Sequence, residues 1–205
     1  MNNADQAERP TVSKGLVPLM LNHAAWVTHD VEATADFYIN VMGMELASTV
    51  YDDSVPSTGD PFPYFHIFFR MQDGPTIAFF EVPGLPARPA VAHPAYDIFD
   101  HIALEVADRE EVDRWAVWLA QNDVDVVGPT DHKGLIYSIY FHDPNGMRLE
   151  ITAPLDPLWN QHTEQGYADL KMWCDAKKRA AAERLEAGPV LRDLIRKTRE
   201  RYQPD

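Results

Sequence analysis

Two stretches of the chain carry the same rhythm of apolar and polar positions. Asn22-His23-Ala24-Ala25-Trp26-Val27-Thr28-His29-Asp30 and Asp100-His101-Ile102-Ala103-Leu104-Glu105-Val106-Ala107-Asp108 both read as a strand that opens beside a histidine and closes at an aspartate. Such self-similarity predicts two copies of one structural unit. Each aspartate offers the short acceptor side chain of a helix N-cap. After Asp30, Phe37, Tyr38, Val41 and Met42 recur at helical spacing, with Glu32 in the first turn and Gly43 as the stop. After Asp108, Glu110 and Glu111 favour the positive end of a helix dipole, and Val112, Trp115, Trp118 and Leu119 form the expected buried stripe before Asn122-Asp123.

Strand-like runs follow both helices. In the first half they are Glu45 to Tyr51, Tyr64 to Arg70 and Thr76 to Val82, with Asp73-Gly74-Pro75 as a turn. In the second half they are Val124 to Val127, Ile136 to Phe141 and Met147 to Thr152. Asp143-Pro144-Asn145-Gly146 is a strong hairpin signal, because proline presets the first turn position and glycine tolerates positive φ. The predicted order is βαβββ twice, an α+β architecture over residues 16–155 with modules at about 16–84 and 98–155, curled into half-barrels around a shared cavity. Asp52 to Pro63 lacks periodicity and is expected to be a mobile loop, a candidate lid. Residues 83–99, with Pro83, Pro86, Pro89 and Pro94, are the expected linker.

Beyond Pro154 the character changes. Residues 156–205 are a predicted helical extension, with helices at 163–187 and 189–202 divided at Gly188-Pro189. Trp159, Tyr167, Met172 and Trp173 form a stripe expected to pack as core, or else to cover the cavity or an oligomer seam.

Charge narrows the partners. The formal charge is −14, and residues 171–205 hold 10 of the 18 basic side chains against 6 acidic ones, a local +4 that leaves −18 on the remainder. An acidic body excludes nucleic acid and anionic membrane, both of which need a basic footprint, and favours a small-molecule substrate. The basic tail could dock on its own or a neighbouring acidic body, so a homo-oligomer is expected. A single cysteine, Cys174, rules out an intrachain disulfide framework and a cysteine-built zinc site. The polar N-terminus lacks signal-peptide character, and a cytoplasmic location is expected.

The chemistry lies on the repeat. A lone strand histidine is more often a satisfied core residue, but His23 and His101 recur at equivalent positions. Two imidazoles with a carboxylate such as Glu150 suit Fe²⁺, Mn²⁺, Ni²⁺, Co²⁺ or Zn²⁺, and two histidines with one carboxylate form the facial set of non-haem Fe²⁺ oxygenases. This pattern resembles the vicinal-oxygen-chelate superfamily, which includes glyoxalase I, extradiol dioxygenases, isomerases, epimerases and metal-free antibiotic-binding proteins. The resemblance implies metal positions at His23, His101, Glu150 and Glu81, a glutamate at the last being the glyoxalase arrangement.

Thr130-Asp131-His132, Ile139-Tyr140, Asp143-Pro144-Asn145-Gly146 and Glu150 together resemble the signature of single-domain extradiol ring-cleavage dioxygenases. That likeness implies Fe²⁺ as cofactor, catalytic roles for His132 and Tyr140 on the bound substrate, O₂ as co-substrate and a catechol or similar substrate with two adjacent oxygens. His66, on the face shared by Tyr64 and Phe68, is the candidate for the further acid–base histidine such enzymes carry in the first half. A glyoxalase-like lyase, isomerase or epimerase using Glu81 or Glu150 as base is the second reading, and a metal-free drug-binding protein the third. His29, His93, His142 and His162 are expected in solvent.

Overall fold

The computed structural model describes residues 18–86 and 93–198. The N-terminal segment to residue 17, residues 87–92 of the expected linker and residues 199–202 of the expected last helix lie outside the described residues. The chain divides into two compact units, Met1–Arg88 and Pro89–Asp205. Among the described residues no helix is long and apolar enough to cross a membrane.

The first unit runs β1 (His23–Thr28), α1 (Val31–Asp36), a π-helical turn (Phe37–Val41), β2 (Glu45–Asp52), β3 (Tyr64–Arg70) and β4 (Thr76–Glu81). The sheet order is β1-β4-β3-β2, with β1 parallel to β4 and the other pairs antiparallel. Asp30 caps α1 by accepting from the Ala33 N–H at 2.9 Å, and Gly43 stops the helical run at φ 66°. Period-two alternation splits the sheet into two faces. Phe65, Ile67, Phe69, Ile77 and Phe79 share one face, where Tyr38 stacks on Phe69 at 5.2 Å and meets Phe79 at 5.1 Å. His23, Ala25, Thr76, Ala78, Phe80, His66 and Phe68 share the other.

The second unit repeats the plan. A short helix α2 (Pro94–Phe99) precedes β5 (Ile102–Glu105), α3 (Arg109–Gln121), β6 (Val127–Asp131), β7 (Ile136–His142) and β8 (Arg148–Pro154), with sheet order β5-β8-β7-β6. Asp108 caps α3 through the Glu111 N–H, while the Glu111 carboxylate accepts from the Ala107 N–H. Val112 and Leu119 pack on Ile139, Phe141, Leu149 and Ile151, all fully or nearly buried. In the hairpin between β7 and β8, Asp143 accepts from the Asn145 and Met147 N–H groups, and Gly146 takes φ 76°. This clamp sets the register by which Tyr140 faces Glu150.

Several expectations need correction. Residues 94–99 are helical rather than linker, because His93 caps Ala95 and proline occupies the first turn. The first strand after α3 begins at Val127 instead of ending there. Trp118 is 43% exposed: on α3 only Val112 and Leu119, about two turns apart, are buried. Within the expected loop, which beyond Asp52 the structure keeps free of helix and strand, residues 55–60 form a hydrogen-bonded turn in which the Val55 N–H reaches the Asp60 carbonyl and the Gly59 N–H reaches the Val55 carbonyl. The extension forms α4 (Thr163–Ala182) and α5 (Ala187–Thr198). Tyr167, Trp159 and Trp173 are exposed in the chain and do not pack as core.

Candidate metal centre

The site is best built outward from Glu150. Glu150 stands on β8, an inner strand of its sheet, and is only 2% exposed. A buried carboxylate is tolerated only with partners, and it has two. Its Oε2 lies 2.7 Å from His101 Nε2, and its Oε1 accepts from the Tyr140 hydroxyl at 3.3 Å. Tyr140 in turn sits 2.8 Å from His132 Nε2. Burial first, and the Glu150 charge second, hold the Tyr140 hydroxyl above its ordinary pKa. His132 is half-buried at the turn after β6, where its N–H reaches the Ile136 carbonyl and the Asp131 carboxylate accepts from Gly134.

The proton arrangement of both strand histidines suits metal ligation. His101 Nδ1 lies 2.8 Å from the Phe99 carbonyl, which can only accept, so the ring proton sits there and Nε2 presents its lone pair towards Glu150. His23 Nδ1 is held likewise by Asn22 Oδ1 at 2.7 Å, which leaves Nε2 available. An imidazole nitrogen and a carboxylate oxygen at this distance share either a proton or a metal ion. Ligand atoms about 2.1 Å from one ion and at a right angle stand about 3 Å apart. The His101–Glu150 separation of 2.7 Å is close to that spacing, so this donor pair fits a divalent ion.

The structure therefore brings together His101, Glu150, Tyr140 and His132. Among the described residues no cluster of three His, Cys, Asp or Glu side chains forms. His23 stands in the first unit, with His66 at 6.3 Å and Phe68 at 5.6 Å between ring centroids. Glu81 does not join it, which corrects the sequence expectation. His23 pairs with Thr76 and Thr28 with Glu81, so the two residues lie at opposite ends of the β1–β4 pair. Glu81 also points to the helix face, where its carboxylate accepts from the Val31 N–H at 3.2 Å. The first-unit counterpart of Glu150 is Ala78: Ala25 pairs with Ala78 as Ala103 pairs with Glu150, each strand alanine lying two residues beyond its histidine.

A family model described as the glyoxalase/bleomycin resistance protein/dioxygenase superfamily matches residues 20–151. The chain belongs to this superfamily. Metapyrocatechase of Pseudomonas sp. (strain CF600) is 28% identical over 158 residues, 75% of this chain and 45% of the relative. MhqA of Bacillus subtilis (strain 168), provisionally named a ring-cleaving dioxygenase, is 26% identical over 136 residues, 65% of this chain and 40% of that protein. The chain thus spans less than half the length of these curated relatives. A glyoxylase/bleomycin resistance protein/dioxygenase domain from Frankia sp. EAN1pec shares the fold with a TM-score of 0.53 at 14% identity, covering 67% of this chain and 99% of the domain.

His66 is a sequence candidate, whereas Arg148 escaped sequence reading. His66 is buried with its Nε2 lacking a hydrogen-bond partner, stacked on Phe80 at 3.6 Å and beside Phe68 at 4.0 Å. Burial first, and His23 second, lower its pKa to about 4. Arg148 lies over the Tyr140 ring with Cζ 4.4 Å from the centroid. Alternation from Glu150 could have found Arg148, because the two are two residues apart on one strand.

Proposed function

We propose that the protein is an Fe²⁺-dependent extradiol-type dioxygenase that opens a catechol-like ring with O₂, with His101 and Glu150 of the second unit as metal ligands. The observation that carries this reading is the line from His132 through Tyr140 to Glu150, at 2.8 and 3.3 Å. The names of the metapyrocatechase and MhqA relatives support it. An iron ion in this set would draw in two vicinal oxygens of the substrate, make their protons more acidic and bring O₂ beside them.

The chain's own groups would do the rest. With the Tyr140 proton on Glu150, His132 Nε2–H donates into the Tyr140 oxygen, giving a file of donors that ends on the ligand carboxylate. His132 can take up or release a proton, and Tyr140 can turn its hydroxyl towards an oxygen that gains negative charge. Leu149 and Ile151, buried behind Glu150, keep water from the far side of the carboxylate. The lyase or epimerase reading placed Glu81 in the ligand set, with Glu81 or Glu150 as base, and Glu81 is engaged at the start of α1 instead. Ala78 stands at the matching place, so the first unit carries no carboxylate where the second carries Glu150.

We further assign the exposed stripe of Tyr167, Leu170 and Trp173 on α4 to a contact between copies of this chain. The direct test of the activity is oxygen uptake after anaerobic reconstitution with Fe²⁺, using catechol and substituted catechols. Stoichiometric uptake with loss of the aromatic absorbance is expected. No uptake with any catechol would overturn the proposal.

A further inference from the structure

Arg148 stands two residues before Glu150 on β8, so alternation turns it to the face that carries Glu150 and Tyr140. Its guanidinium lies over the Tyr140 ring and its Nε is buried without a hydrogen-bond partner. Among the described residues no carboxylate lies within ion-pair distance of it. The molecule contains its own control. Arg109 lies over Tyr137 in the same way, at 4.3 Å, but Asp131 closes on it at 2.9 Å. Two arginines thus lie over tyrosine rings at similar distances, and of the two only Arg148 has no carboxylate within ion-pair distance.

A half-buried cation with no carboxylate in direct contact is costly, and a guanidinium fixed on an aromatic ring presents its N–H fork for a planar anion. A divalent ion at His101 and Glu150 would add to the positive charge, since Glu150 is the one carboxylate of that cluster. We infer that Arg148 receives a carboxylate on the substrate, so that the compound taken at the proposed metal site is a vicinal-dioxygen arene bearing an acid group. This inference rests on the reading of the site given above. It narrows the substrate class from catechols in general to dihydroxybenzoate-like or dihydroxyphenyl-acid compounds.

The test compares 3,4-dihydroxybenzoate and 3,4-dihydroxyphenylacetate with catechol and 4-methylcatechol, in the wild-type enzyme and in Arg148→Gln and Arg148→Lys. Glutamine keeps a planar group over Tyr140 and removes the charge, while lysine keeps the charge and loses the fork. Loss of the stack itself would move all four substrates together, so the readout is the ratio of kcat/KM for acid over neutral catechols. A charge-assisted hydrogen-bonded contact predicts a wild-type ratio of about tenfold to a hundredfold. That ratio should fall to about one in Arg148→Gln and be partly restored in Arg148→Lys. Anaerobic calorimetry on the same proteins should give matching ratios of affinity, free of turnover. A wild-type ratio near one, or one unchanged in Arg148→Gln, would overturn the inference. Failure of the catechol reading looks different, because no catechol of either kind would then bind or be consumed. In that event benzoate against benzamide carries the test: tighter binding of benzoate that Arg148→Gln abolishes supports the inference, and equal binding overturns it.

Discussion

Glu81 accepts a hydrogen bond from the Val31 N–H at 3.2 Å and so satisfies a free donor at the start of α1. The bond ties the end of β4 to the helix that packs on the first sheet, and the negative charge suits that end of the helix dipole. Glu81→Ala should therefore leave metal content and turnover close to wild type and lower stability by about 1 kcal/mol. Chemical denaturation together with elemental analysis checks both halves. A variant that loses its metal would return Glu81 to the ligand set.

His101→Ala should lose the metal while keeping its fold, because His101 is a half-exposed strand-end residue and the remaining donors are too few to hold a divalent ion tightly. Elemental analysis and circular dichroism of the variant read the two outcomes. Iron in the wild-type protein purified without added metal would agree with oxygen chemistry. Full occupancy in the variant would remove His101 from the site.

His132→Ala and Tyr140→Phe should both retain iron and lose turnover, His132→Ala by roughly a hundredfold or more, the range of a positioned acid–base group. Tyr140→Phe strips Glu150 of its 3.3 Å donor but keeps the ring beneath Arg148. Oxygen uptake per bound iron is the measurement. A silent His132→Ala would break the proposed proton path.

His66 predicts a pH dependence of stability in the metal-free protein. Its folded pKa is lowered to about 4 from the ordinary 6.5, so between these values the unfolded chain binds the extra proton. Stability is then fully present above about pH 6.5, falls as the pH drops towards 4, and levels off below it, with a loss of at most about 3 kcal/mol. Phenylalanine suits the stack between Phe68 and Phe80, and the Nε2 it removes has no partner. His66→Phe should flatten the profile over this window and stabilise the protein at its acid end. Urea denaturation across the pH range would show an unchanged slope if His66 were not responsible.

Removal of the chain from Gln161 onward, or serine at both Leu170 and Trp173, should shift the elution volume towards a smaller species, because exposed apolar side chains on one helix face need a cover. An unchanged volume and melting temperature would make α4 and α5 an independent appendage.

Sequence alone determined the repeat, the strand histidines and the caps at Asp30 and Asp108, because each is a local matter of period, side-chain reach and backbone donors. The Asp143-Pro144-Asn145-Gly146 hairpin was equally legible, and with it the facing of Tyr140 and Glu150 across adjacent strands. Register between strands distant in sequence was not legible. Whether Ala78 or Glu81 answers to Glu150 depends on how β4 slides along β1, and a shift of one residue turns every side chain to the other face. Nor could composition tell that His66 would be buried without a partner or that Arg148 would lie on Tyr140 while its counterpart Arg109 found Asp131. Those outcomes belong to tertiary structure, because a charge or an imidazole acquires its role from what packing brings within a few ångströms of it.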